Sequence, residues 1–205
     1  MLVFGFIASS INAQQNRPDF RDKFLFGIKA GANYSNVFDE QGDQFTADGK
    51  FGFVGGVFID IPIGTFLGLQ PEVLYSQKGF MATGNILGVP FKTTHTTTYI
   101  DIPLLICLKP SQYFTLMGGP QYSYLIKQKD SFTSEGLTQA QEEAFTNNNL
   151  RKNTLSVVGG FEINMEPIVF GARASWDLQT NNGDGSSSNP RYKNVWYQAT
   201  LGIRF

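Results

Sequence analysis

Along residues 67–79, LGLQPEVLYSQKG, apolar and polar side chains alternate with a period of two. Leu67, Leu69, Pro71, Val73 and Tyr75 fall on one face. Gly68, Gln70, Glu72, Leu74, Ser76 and Lys78 fall on the other, as in a strand with two unlike faces. The pattern recurs along the chain. In 24–34, Phe24, Phe26, Ile28, Ala30, Ala32 and Tyr34 oppose Leu25, Gly27, Lys29, Gly31 and Asn33. In 50–61, Phe51, Phe53, Val57, Ile59 and Ile61 oppose Lys50, Gly52, Gly56 and Asp60, and in 98–108 an isoleucine and leucine face opposes Tyr99, Asp101, Pro103 and Cys107. Further segments follow at 114–126, 154–164 (with Glu162 on the polar face), 168–177 (with Arg173 and Asp177) and 195–205 (with Arg204). These are eight strands of roughly ten residues, the length of a tilted strand crossing a bilayer.

The connections alternate in length. Short ones lie at 62–64, 109–112 and 165–167, and long polar ones at roughly 35–49, 79–95, 127–152 and 179–193. A membrane barrel has this rhythm, with turns on the periplasmic side and loops outside. The third long connection contains LTQAQEEAF (137–145), which is expected to form a short helix, and the fourth contains TNNGDGSSSNP, which reads as flexible.

Period-two alternation alone fits two architectures, a soluble barrel with an apolar interior and a membrane barrel with an apolar exterior. Four features select the second: a polar face rich in Gly and poor in charge, aromatic residues Tyr34, Tyr75, Trp176 and Tyr197 near strand ends, one side of long loops, and a terminal Phe205 in phase with the apolar set. The expected fold is an all-β, eight-stranded antiparallel up-and-down transmembrane β-barrel over 24–205, with Glu72 pointing inward.

The motifs LQPEVLYSQKG, YIDIPLLICLK, LMGGPQYSYLI, GARASWDL and the terminal LGIRF resemble the PorT-like outer-membrane β-barrel domain family, whose members are often called porin-family proteins. The resemblance covers about 24–205. It implies an eight-stranded barrel in the cell outer membrane, one class of which is associated with a protein-secretion apparatus. It also implies that Phe205 serves as a membrane-assembly signal for the barrel-assembly machinery. Lipid and lipopolysaccharide of the outer membrane are then expected partners.

Composition agrees with export. The start, MLVFGFIASSINAQQ, has an apolar run and small residues up to Ala13, so residues 1–13 read as a signal peptide, shortened at its basic end, and 14–23 as a short periplasmic segment. No Cys lies near that junction, which excludes a lipid-anchored lipoprotein. A net charge of −1 offers no attraction for nucleic acid. Cys107 is the single cysteine and reads as a small packed side chain.

Candidate chemistry is sparse. His95, the single histidine, falls inward near the outer rim and reads as a solvated rim residue. A hydrolase or acyltransferase site would need it beside a carboxylate and a nucleophile that no spacing singles out. One His and one Cys supply no zinc site, and the acidic loop at 39–49 lacks calcium-loop spacing, so neither metal nor cofactor is expected. What remains is an inward set of charges: Lys29, Asp60, Glu72, Asp101, Glu162, Arg173, Asp177 and Arg204. An eight-stranded barrel is only wide enough to be filled by side chains, so these are expected to form a plug, with Glu72, Asp101 and Arg173 meeting across the lumen and Lys29 as a second cation. The function expected is a non-catalytic barrel that presents loops to a partner or a secretion assembly. A narrow channel for ions or very small solutes is the first alternative, and an outer-membrane hydrolase or acyltransferase the second.

Overall fold

The computed structural model describes residues 19–38, 47–86, 89–134, 137–144, 150–181 and 193–205. The strands are β1 (Leu25–Phe38), β2 (Ala47–Pro62), β3 (Leu67–Ile86), β4 (Val89–Ser111), β5 (Phe114–Ser134), β6 (Leu137–Ala144), β7 (Asn153–Met165), β8 (Ile168–Asp177) and β9 (Lys193–Arg204). Each pairs antiparallel with its neighbour in space, and β9 returns to β1, from Gly27 opposite Arg204 to Phe38 opposite Lys193. The sheet therefore closes on itself as an eight-stranded barrel of β1–β5 and β7–β9. Closure leaves no free strand edge within the bilayer, where an unpaired backbone amide would have no water to bond.

The alternation reads out as inside and outside, with the usual sense of burial inverted. Phe53, Leu104 and Tyr197 are 51%, 49% and 59% exposed, whereas Lys29 and Glu72 are 4% and 2% exposed. A soluble protein would bury the first group and solvate the second. Only a hydrocarbon surround makes this surface favourable. Outward aromatics cluster in rows towards the side of the long connections. Tyr34 pairs with Tyr197, and Tyr75, Ile100 and Tyr124 lie side by side on β3, β4 and β5. Such rows mark the level at which a bilayer gives way to head groups.

The inward glycines make room for the plug. A Cβ at Gly27 would meet the Phe58 ring at 2.4 Å, so this wall position must be bare for Phe58 to lie across the lumen. Gly79 has φ of +151°, and a Cβ there would lie 2.0 Å from the His95 carbonyl oxygen. Both geometry and space demand glycine at that point.

Two expectations are corrected. The long connection at 79–95 is mostly strand: β3 and β4 continue as a paired ribbon to Ile86 and Val89. The segment 137–144 is not a helix but β6, paired with β5 from Lys127 opposite Ala144 to Ser134 opposite Leu137. β7 covers β5 only as far as Tyr124, so β6 takes over the edge that would otherwise be open above it. The register of β4 and β5 also slips at Thr98/Tyr99, skipping Ile126, and this bulge turns Lys127 and Lys129 outward and Gln128 inward. The expected signal segment 1–13, the acidic residues 39–46 and most of the TNNGDGSSSNP stretch lie outside the described residues.

The lumen plug as candidate functional site

Four strands place the centre of the lumen. Lys29 projects from β1, Glu72 from β3, Glu162 from β7 and Arg173 from β8, all on inward positions of the period-two pattern. The Arg173 fork grips Glu72 across the barrel, Nη1 donating to Oε2 at 3.0 Å and Nη2 to Oε1 at 3.2 Å. Lys29 Nζ bridges Glu72 Oε1 at 2.9 Å and Glu162 Oε1 at 3.0 Å. The Gln70 amide adds a donor to each of the same oxygens. Arg204 extends the chain towards the periplasmic turns, with Nη2 on Glu162 Oε2 at 2.8 Å and Nε 2.9 Å from Asp60 Oδ2. Three acids, Asp60, Glu72 and Glu162, thus face three cations, Lys29, Arg173 and Arg204. A planar guanidinium that serves two acceptors suits such a layer, and so does a lysine with three donors. Phe58 fills the space beside it, with Lys29 Nζ 4.3 Å from its ring centre.

A second, separate layer lies above. Asp101 does not reach Arg173, as expected from sequence; it pairs with Lys78 at 3.0 Å. The register shows why. Leu74, not Glu72, stands opposite Asp101, so this carboxylate sits one inward position higher. Heights counted from two different turns are not comparable in a sheared barrel. Lys78 Nζ also lies 3.6 Å from the Trp196 ring centre and 4.7 Å from that of Tyr99, so these three side chains pack together in the lumen. Asp177 accepts from Ser156 Oγ and Asn194 Nδ2, both at 2.7 Å.

Lys78, Gln70, Trp196 and Lys109 are plug residues absent from the sequence-derived set. Lys78 and Gln70 share the phase of Glu72, and Lys109 that of Asp101, so parity alone could have included them. Cys107 is buried, its Sγ 3.7 Å from Gln70 Oε1.

His95 lies well above this region, on the ribbon beyond the aromatic rows. It is not a freely solvated residue. Its Nδ1 contacts Asp130 Oδ1, its cross-strand neighbour on β5, and its ring packs against Phe80. Burial alone would raise the Asp130 carboxyl, but the hydrogen bond and attraction of His95, with the Gln128 amide, hold it below the usual carboxylate range. His95 Nε2 is buried with no hydrogen-bond partner among the described residues. Among the described residues no group of three His, Cys, Asp or Glu could hold a metal ion.

Comparison with known proteins agrees with this architecture. The family model described as outer membrane protein beta-barrel domain matches residues 12–181. No curated protein matches the sequence. Among solved structures, the attachment invasion locus protein Ail of Yersinia pestis is similar over 88% of this chain and 98% of its own, at 16% identity and a TM-score of 0.46. Neisserial surface protein A, at 14% identity and a TM-score of 0.49, is covered over 97% and covers 88% of this chain. The outer membrane protease OmpT of Escherichia coli, at 11% identity and a TM-score of 0.36, covers 93% of this chain and is covered over 99%. At TM-scores below 0.5 these likenesses carry no argument about this chain. With its closed barrel, its apolar exterior and that family match, the chain belongs to the outer membrane protein β-barrel domain family and resides in the outer membrane.

Proposed function

We propose that this protein is a sealed, non-catalytic barrel that serves envelope structure or surface interaction through the part standing outside the membrane. The observation that carries this reading is the continuous ion-pair layer from Arg173 through Glu72, Lys29 and Glu162 to Arg204, with every link between 2.8 and 3.2 Å. A path for hydrated ions would have to break charge-assisted bonds that are buried and mutually satisfied. The Lys78–Trp196–Tyr99 layer adds a second barrier.

The external part is substantial. From Tyr75 to Ile86, β3 runs on for about 35 Å at ~3.3 Å per residue, and β4, β5 and β6 accompany it. This ribbon suits contact with a protein or glycan partner, including a secretion or assembly complex of the kind the PorT-like resemblance implies. Lys127 and Lys129, turned outward just above the Tyr124 row, suit the phosphates of outer-leaflet lipopolysaccharide. In this reading residues 1–13 are removed on export, and Phe205 is the signal read by the barrel-assembly machinery. The channel reading is separated by single-protein conductance in planar bilayers. The wild-type barrel is expected to be silent, and the Glu72→Ala/Arg173→Ala/Lys78→Ala variant to pass current. Steady conductance by the wild type would overturn the sealed reading.

A further inference from the structure

The periplasmic end of the barrel holds a cavity of about 450 Å³, within the range of small-ligand sites. It lies directly beneath the plug, whose lowest charges, Asp60, Lys109 and Arg204, reach its wall. Its apolar wall comes from Phe20, Leu25, Tyr113 and Phe205, and its polar wall from Asp60 and Lys109, with Arg204 and Glu166 at the side.

The polar wall is incompletely matched. Asp60 is 1% exposed, and neither of its carboxylate oxygens has a hydrogen bond among the described residues. Oδ2 lies against Arg204 Nε, but Oδ1 has only Lys109 Nζ, at 3.9 Å. Lys109 Nζ in turn makes one long bond, 3.4 Å, to the backbone oxygen of Arg21. A buried acceptor without a donor is unfavourable, so a group that brings both a donor and an acceptor is favoured here. Charge narrows the choice. Asp60 and Glu166 balance Lys109 and Arg204, and Arg21 is already paired with Asp19, so no net charge is available to hold a phosphate or a carboxylate.

A peptide amide fits both demands: its N–H matches Asp60 Oδ1 and its C=O matches Lys109 Nζ. The protein's own chain already makes half of this interaction. The segment before β1 sets the Arg21 carbonyl on Lys109 Nζ, returns a bond from Arg21 Nη1 to the Lys109 carbonyl at 3.3 Å, and leaves the Phe20 ring on the cavity wall. We infer that this cavity is a binding site for a periplasmic peptide segment, which lays one amide across Asp60 and Lys109 and sinks a large apolar side chain among Phe20, Leu25, Tyr113 and Phe205. The inference does not depend on the sealed-lumen reading.

The test is a titration followed by two-dimensional amide NMR of the purified barrel in a neutral detergent. The probes are acetyl-Leu-Phe-amide and, separately, dihexanoylphosphatidylethanolamine. The peptide is expected to give saturable shifts confined to 20–25, 109–113 and 164–167. Lys109→Met should weaken it at least tenfold, and Gln112→Trp, which fills the opening without touching Asp60, should abolish it. Should Lys109→Met fail to fold, Gln112→Trp decides. Absence of saturation, or binding that Gln112→Trp leaves intact, would overturn the inference. Saturation of the same residues by the phospholipid but not the peptide would overturn it in favour of a lipid site.

Discussion

Replacing Arg173 with leucine removes a cation that reaches across the barrel to Glu72. Among the described residues Glu72 Oε2 has a single hydrogen-bond partner, Arg173 Nη1, whereas Oε1 is also held by Lys29 and Gln70. The variant therefore leaves one carboxylate oxygen buried and bare, and the three-against-three balance becomes an excess of one negative charge. Breaking a dehydrated pair from one side costs about 3–5 kcal/mol. Replacing both partners, Glu72→Gln with Arg173→Met, removes the stranded charge and should cost less than about 2 kcal/mol, because two neutral side chains of similar reach can repack the same space. Asp101 needs no change, since its partner is Lys78. Urea unfolding of the barrel in lipid vesicles, followed by tryptophan fluorescence and by the mobility shift between folded and unfolded forms, gives both numbers. If Arg173→Leu is within about 1 kcal/mol of wild type, water must be solvating Glu72, and the dehydrated-plug argument fails. If the double variant is as unstable as the single one, the arginine matters through its volume and not its charge.

Leu104 faces lipid near mid-barrel, so Leu104→Lys should cost about 2–4 kcal/mol in the same vesicle assay; a neutral result would mean that this face does not meet hydrocarbon. Phe205 stacks on Phe26 at 5.4 Å and closes two backbone bonds with it, so Phe205→Ala should lose some stability, yet it should lower the folded amount in cell membranes by a larger factor. Equal losses in both measurements would leave packing as its whole role. Because the Asp130 carboxyl is held below its ordinary value, its support of the external ribbon is full above about pH 4, the unfolded-state value, and is lost as pH falls through the lower folded value. Amide exchange in 92–96 and 127–131 should therefore quicken between pH 5 and pH 3 in wild type after correction for the intrinsic rate, and change little in Asp130→Asn. Charge reversal at Lys127 and Lys129 should reduce the lipopolysaccharide that copurifies with the barrel, measured against phospholipid in the same sample; an unchanged ratio would remove the proposed head-group contact.

The sequence alone determined which side of each strand is wet, because a period of two leaves no freedom once one face is apolar: Glu72, Lys29 and Arg173 had to point away from Phe26, Val73 and Phe170. It also determined the number of barrel strands and the side on which the turns are short. That Glu72 and Arg173 should meet was legible, since their strands face each other across a ring of eight. Tertiary structure decided what crosses strands. Shear set Asp101 a step above Glu72 and gave it to Lys78, and no count along one strand contains the shear. A single skipped residue, Ile126, reversed the inside and the outside for Lys127 and beyond, and a bulge depends on how two strands pair rather than on either one. The helix-like composition of 137–145 yielded to pairing because propensity is worth only tenths of a kcal/mol per residue, whereas the upper edge of β5 offers β6 a row of backbone partners. The Asp60–Lys109 cavity was equally hidden: it exists because the β2, β4 and β9 ends converge with the segment before β1, and that convergence is a property of the closed barrel.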